Sequence, residues 1–274
     1  MVMANRARSA LLGLLAVVWA GLALGAAEAP PPALDPDAAL RASQAAIGRQ
    51  LGDFTFLDRN HRQVRLADYR GKPLLVNFVY TGCMSACPVT TKVLAQAIRK
   101  AQGVVGSDSF RVLTIGFNLP YDSPEAMRDF ARRFGIDSPS WEFLAPYEGQ
   151  LAALTGNFGF TYARAPWGFD HITQVTVVDQ RGKIYRQVYG DDFSIVQLVN
   201  PLKELVEGTP VPVTSLADFV ERVRILCTVY DPRTNAYRFD ITVIGEIIAF
   251  FVIAVALLSF IAVELRKRRK AHGR

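Results

Sequence analysis

Apolar residues along the chain recur with the period of a strand in some stretches and of a helix in others. Residues 74–80 (LLVNFVY) are almost continuously apolar, the pattern of a strand covered on both faces. Residues 88–101 place Val89, Val93, Leu94, Ala97 and Ile98 at helical spacing, and 110–117 (FRVLTIGF) return to strand character. Ser123, Pro124 and Glu125 supply an N-cap, a first-turn proline and a first-turn acid, and lead into Met127, Phe130, Ala131 and Phe134, so a second helix starts there. Upstream, 54–57 and 63–66 read as short strands around Asp58-Arg59-Asn60-His61, a hairpin. Downstream come a strand at 141–144, a helix around 148–155 and paired strands at 174–178 and 183–188, which close through Asp179-Gln180-Arg181-Gly182. A last helix covers 193–206. Parallel β-α-β followed by an antiparallel hairpin and a helix predicts a three-layer α/β sandwich.

Two further segments are hydrophobic without alternation. Residues 10–24 follow Arg6 and Arg8 and precede small residues and prolines 30–32; fifteen helical residues reach only about 22 Å. We read 1–29 as a cleaved secretory signal, with an uncleaved N-terminal anchor as the alternative. Near the other end, 247–263 carries no charge, and 242–263 is long enough to span if Glu246 sits near one interface. A basic run follows, so the expectation is a single-pass transmembrane helix with 264–274 in the cytoplasm and the main domain on the other side, the periplasm if the source is bacterial. That leaves a linker over 30–47, a thioredoxin-like domain over 48–206 and a juxtamembrane extension over 207–241, where Leu216, Phe219, Val220 and Val223 suggest an amphipathic helix.

Composition and charge narrow the function classes. Half of the residues are apolar, which excludes a disordered polymer. Of the formal charge of +6, Arg6 and Arg8 contribute +2 and 264–274 a further +5, which leaves 9–263 at −1. The basic balance thus belongs to the tails and argues against a nucleic-acid surface.

The chemistry concentrates in few residues. Cys83 and Cys87 lie where the 74–80 strand meets the next helix, a junction at which α/β folds present reactive groups. A helix N-terminus lowers a thiol pKa and favours thiolate, which is both nucleophile and metal ligand. The C-x-x-x-C spacing leaves room for a cation between the sulfurs or for an easily opened disulfide. Two thiolates suit Cu(I), and His171, in the loop before the 174–178 strand, adds a nitrogen that lets the set accept both Cu(I) and Cu(II). Asp170 or a backbone carbonyl is placed to fix its tautomer, and Trp167 and Phe169 to limit water. Cys227 reads as an apolar filler before an accessory thiolate, Met84 as packing or solvent-facing before a soft axial ligand, and His61 and His272 as outside any site.

The segments Gly71-Lys72-Pro73-Leu74-Leu75-Val76-Asn77-Phe78, Tyr80-Thr81-Gly82-Cys83-Met84-Ser85-Ala86-Cys87-Pro88, Trp141-Glu142-Phe143-Leu144 and Asp170-His171, in this order, resemble the Sco/SenC family over about residues 48–206. The resemblance implies a membrane-anchored, thioredoxin-like copper metallochaperone that helps mature the copper centre of cytochrome c oxidase. It puts the copper ligands on Cys83, Cys87 and His171. It also implies a copper-binding oxidase subunit, a copper-donating chaperone and a thioredoxin-like reductant as partners. Members often have a proline and an acid between the cysteines, where this chain has Met84, Ser85 and Ala86. Asn118 stands where aspartate is common, Asp122 is retained, and a C-terminal anchor differs from the usual N-terminal one. The competing function is a thiol-disulfide oxidoreductase that reduces the cysteines of a copper-site apoprotein, with Cys83 attacking and Cys87 resolving.

Overall fold

The computed structural model describes residues 33–83, 86–166, 168–191, 193–209, 220, 223, 228–239 and 241–272. The expected signal segment 1–29, with most of the proposed amphipathic helix and Cys227, lies outside them; Val220 and Val223 are helical and exposed.

Seven strands form one sheet in the order β2-β1-β5-β4-β3-β8-β9. Its centre is β3 (Leu74–Val79), β4 (Arg111–Gly116) and β5 (Trp141–Pro146), mutually parallel, in register Leu74 with Arg111 and Val112 with Trp141. Every residue of β3 is buried and only the first of β4 is not, so helices cover both faces and the sandwich has three layers. Two antiparallel hairpins flank the centre: β1 (Thr55–Asp58) with β2 (Gln63–Arg65), where β1 joins β5, and β8 (Gln174–Val178) with β9 (Ile184–Tyr189), where β8 joins β3.

Helix α1 (Pro36–Ala45) occupies a stretch expected as linker. Asp35 caps it, its carboxylate accepting from the N–H groups of Asp37 and Ala38 at 3.0 and 3.2 Å. The remaining helices of the sandwich are α2 (Ala86–Val105), α3 (Pro124–Arg133), α4 (Leu151–Phe158) and α5 (Ile195–Glu207). As expected, Ser123 caps α3, accepting the Ala126 N–H at 3.3 Å. Two small hairpins were not anticipated: β6 (Tyr162–Ala165) with β7 (Gly168–His171), and β10 (Thr228–Asp231) with β11 (Ala236–Phe239).

The expected C-terminal transmembrane helix, and with it the single-pass inner-membrane location with a periplasmic domain, is overturned: among the described residues no helix is long and apolar enough to cross a membrane. The segment is helical as α6 (Ile241–His272). Its charge-free run, 247–263, reaches only about 25 Å, short of a ~30 Å hydrocarbon core. Glu246, which the longer reading placed at an interface, interrupts the run and is exposed.

Candidate metal centre

The antiparallel pairing of β3 with β8 assembles the site. Asn77 lies opposite Val175, so the chain leaving β3 toward Cys83 runs beside the chain entering β8 from His171. His171 is the last residue of β7 rather than part of a loop, and lies opposite Tyr162 in the β6–β7 hairpin. The bend after β3 is braced by Asp122, fully buried, which accepts from the Thr81 N–H and hydroxyl at 2.8 and 2.7 Å and from the Asn118 N–H at 2.7 Å. Burial pushes the Asp122 carboxyl up, against these hydrogen bonds.

Cys83 and Cys87 are both buried. The Cys87 N–H, in the first turn of α2, donates to the Cys83 sulfur at 3.3 Å. The helix end therefore offers a backbone donor to Cys83, the arrangement that favours a thiolate there. Cys87 behaves oppositely to the expectation for a helix N-terminus. Its pKa is pushed well up, first by hydrogen bonding to Cys83, then by burial and by the Cys83 charge. Cys87 thus holds its proton more firmly than an ordinary thiol.

His171 is half-buried beside Phe160 and Phe117, at ring-centroid distances of 5.4 and 5.7 Å. Burial lowers its pKa, which favours the neutral ring. Nδ1 lies 3.1 Å from the Ile172 carbonyl, which only accepts, so Nδ1 carries the hydrogen in this contact and Nε2 keeps its lone pair. A backbone carbonyl, not Asp170, thus sets the tautomer.

Cys83 and His171 line one cavity of about 510 Å³, together with Tyr80, Phe169 and Asp170. Cys87 is not among its lining residues, and among the described residues no group of three His, Cys, Asp or Glu side chains is gathered closely enough to hold a metal ion. The two cysteines are thus adjacent, and Cys83 and His171 share a wall, but the three are not drawn into one closed ligand set. The soft donors present match copper in chemical type. Met84 and Trp167 lie outside the described residues.

Tyr80 is a site residue that the sequence reading passed over as the end of an apolar run. Its pKa is pushed up to about 12 by burial and by hydrogen bonding to Cys83. Its ring packs edge-on against Phe117 and Phe169 at 5.6 and 5.3 Å. Asp191, also on the cavity wall, accepts the Thr173 hydroxyl at 2.7 Å and has no signal in the sequence.

Comparison with known proteins gives a consistent answer. The SCO1/SenC family matches residues 42–207. A bovine mitochondrial SCO2 homolog is 31% identical over 142 residues, 52% of this chain and 50% of that protein, so the match spans about half the relative's length. Among solved structures, copper-bound ScoI of Bradyrhizobium japonicum aligns with a TM-score of 0.50 at 22% identity, over 58% of this chain and 99% of that one. BsSco, described as a member of the Sco family of cytochrome c oxidase assembly proteins, aligns at 0.52 and 19%, over 58% and 95%.

Proposed function

Because the chain belongs to the SCO1/SenC family, we propose that it carries copper on Cys83, Cys87 and His171 and delivers it to the copper-binding subunit of a cytochrome c oxidase during assembly. The observation that carries this reading is that the Cys83 thiol and the His171 ring, with its lone pair on Nε2, open onto the same cavity. ScoI was solved with copper bound, and BsSco is described as an oxidase assembly protein; both support the assignment.

In this reading residues 48–206 are the copper-carrying domain. Copper is cargo, and two sulfurs with one imidazole accept it as Cu(I) or Cu(II). Cys83 takes the metal first because it lines the cavity and Cys87 does not, and Cys87 loses its firmly held proton as it joins. His171 completes the set from the β6–β7 hairpin. Handover proceeds through shared thiolates, one sulfur of the acceptor replacing one of the donor at a time. A copper-donating chaperone loads the site, and a thioredoxin-like reductant keeps the pair as thiols.

A second reading is supported by the same Cys87 N–H to Cys83 contact, which favours a nucleophilic Cys83. As a thiol-disulfide oxidoreductase, Cys83 attacks a client disulfide and forms a mixed disulfide. Cys87 then displaces the client as a dithiol, and the oxidised pair is reset by the reductant.

Anaerobic copper titration of the reduced full chain separates the two. The copper reading expects one copper per chain, lost or strongly weakened in Cys83→Ser, Cys87→Ser and His171→Ala. If none of the three changes stoichiometry or affinity, that assignment falls. Copper binding unaffected by His171→Ala, with disulfide exchange abolished by Cys83→Ser, favours the second reading.

A further inference from the structure

The cavity shared by Cys83 and His171 is walled on one side by residues beyond the family match over 42–207. Leu34 comes from just before α1 and Pro36 is its first residue, and Tyr230, Pro232, Arg233 and Asn235 come from the β10–β11 hairpin. The hairpin is seated by contacts of its own. Tyr230 is 5% exposed and stacks on Tyr189 of β9 at 5.0 Å and 22°. Its hydroxyl donates to Asn235 Oδ1 at 2.7 Å, across the hairpin turn. The Tyr189 N–H donates to the Tyr237 hydroxyl at 3.1 Å, and Arg233 meets Asp37 of α1 at 2.6 Å.

Magnitudes rank these contacts. An exposed ion pair contributes little by itself, and the Arg233 side chain is 71% exposed. A buried, stacked aromatic carries more. Tyr230 is therefore the anchor of the wall and Arg233 a tether. Cys83 is only 2% exposed, so reagents and partners meet its sulfur through the cavity that this wall narrows.

We propose that the β10–β11 hairpin selects what can exchange at Cys83, with Tyr230 and Arg233 as its specificity-determining residues. A small thiol or chelator, or a narrow extended peptide segment, passes the seated hairpin; a bulky chelator or folded surface reaches the sulfur only when the hairpin swings off Tyr189. The metal-exchange role rests on the copper reading above, but access to the thiol is measurable without copper.

The test labels reduced, metal-free full chain with N-ethylmaleimide and with a polyethylene-glycol maleimide, so that one chemistry is presented at two sizes. Modification of Cys83 is located by peptide mass spectrometry. In Tyr230→Ala the bulky reagent is expected to gain roughly tenfold or more in rate over wild type while the small one changes far less, because local opening no longer limits access. Arg233→Ala, at an exposed position that should not disturb the fold, moves the ratio the same way by a smaller factor, and the exchange Asp37→Arg with Arg233→Asp restores it. An unchanged ratio in Tyr230→Ala with an intact near-ultraviolet circular dichroism spectrum overturns the proposal. If that variant loses its tertiary signal, Arg233→Ala and the exchanged pair decide in its place. Copper titration of the wild type runs alongside. A shifted labelling ratio without copper binding retains the access role and removes the copper reading; normal copper binding with a static ratio does the reverse.

Discussion

Gly168, at the start of β7, has backbone φ +133°, where side chains are rarely tolerated, and a β-carbon built there would lie 2.4 Å from the Tyr80 hydroxyl oxygen and 3.0 Å from its ring. Tyr80 cannot simply swing aside, being 8% exposed and packed against Phe117 and Phe169. Gly168→Ala is therefore expected to lower stability by about 1–3 kcal/mol and to loosen the wall beside Cys83. Gly71→Ala is the control: its φ is +93° but nothing lies within 4 Å, so only the backbone cost applies. Urea unfolding of both variants checks this, and an equal loss in the two would show that the Tyr80 approach is irrelevant. The residues proposed as ligands stand out in the sequence because cysteine and histidine are scarce and oddly spaced. Tyr80 does not stand out, because a tyrosine ending an apolar strand looks the same whether its hydroxyl meets water or a sulfur. Asp191 is equally silent, since its partner Thr173 is reached only through the pairing of β8 with β9.

At the level of elements, the β1–β2 hairpin is pinned at its turn by one side chain. Asp58, 2% exposed, accepts from the N–H groups of Asn60 and Arg62 and from the Arg62 guanidinium, each at 2.8 Å. Burial pushes its pKa up, yet the three hydrogen bonds outweigh it, and the carboxyl is held below its ordinary 3.8. A group held low in the folded state adds stability that is fully present above pH 3.8 and is lost as pH falls through the folded value. Asp58→Ala should thus cost about 1–3 kcal/mol near neutral pH, by leaving donors unpaired, and should flatten the acid limb of the stability profile below pH 3.8. Denaturant midpoints across pH for the two proteins test this; parallel profiles would contradict it. This hairpin and β3 were legible because turn residues and two-sided burial leave strong patterns. The β6–β7 hairpin was not: its residues are half-buried or exposed, with no apolar alternation. Helix α1 was hidden by composition, since prolines and alanines suggested a linker while Asp35-Pro36 already carried the kind of start signal that was recognised at Ser123-Pro124.

Across the whole molecule, the two ends of the described sandwich are joined through Tyr189. Its hydroxyl donates to Ser43 of α1 at 3.0 Å, its ring stacks on Tyr230, and its N–H reaches Tyr237. The coupling was invisible in the sequence because it links Tyr189 of β9 to two tyrosines of a hairpin far along the chain, on segments whose own patterns say nothing about docking. The membrane reading failed at this scale for the opposite reason: an apolar composition was legible at 242–263, but the span it required depended on placing Glu246 at an interface. If Tyr189 and Tyr230 do bind α1 and the β10–β11 hairpin into one cooperative unit, removing the anchor should release both. Tyr230→Ala is therefore expected to speed amide hydrogen exchange in α1 and in β10–β11 together, by roughly tenfold or more, while β3 and β4 keep their protection because their pairing and burial are untouched. Faster exchange in the hairpin with α1 unchanged would mean that the Ser43 and Asp37 contacts do not couple the two segments, and that the cavity wall opens one piece at a time.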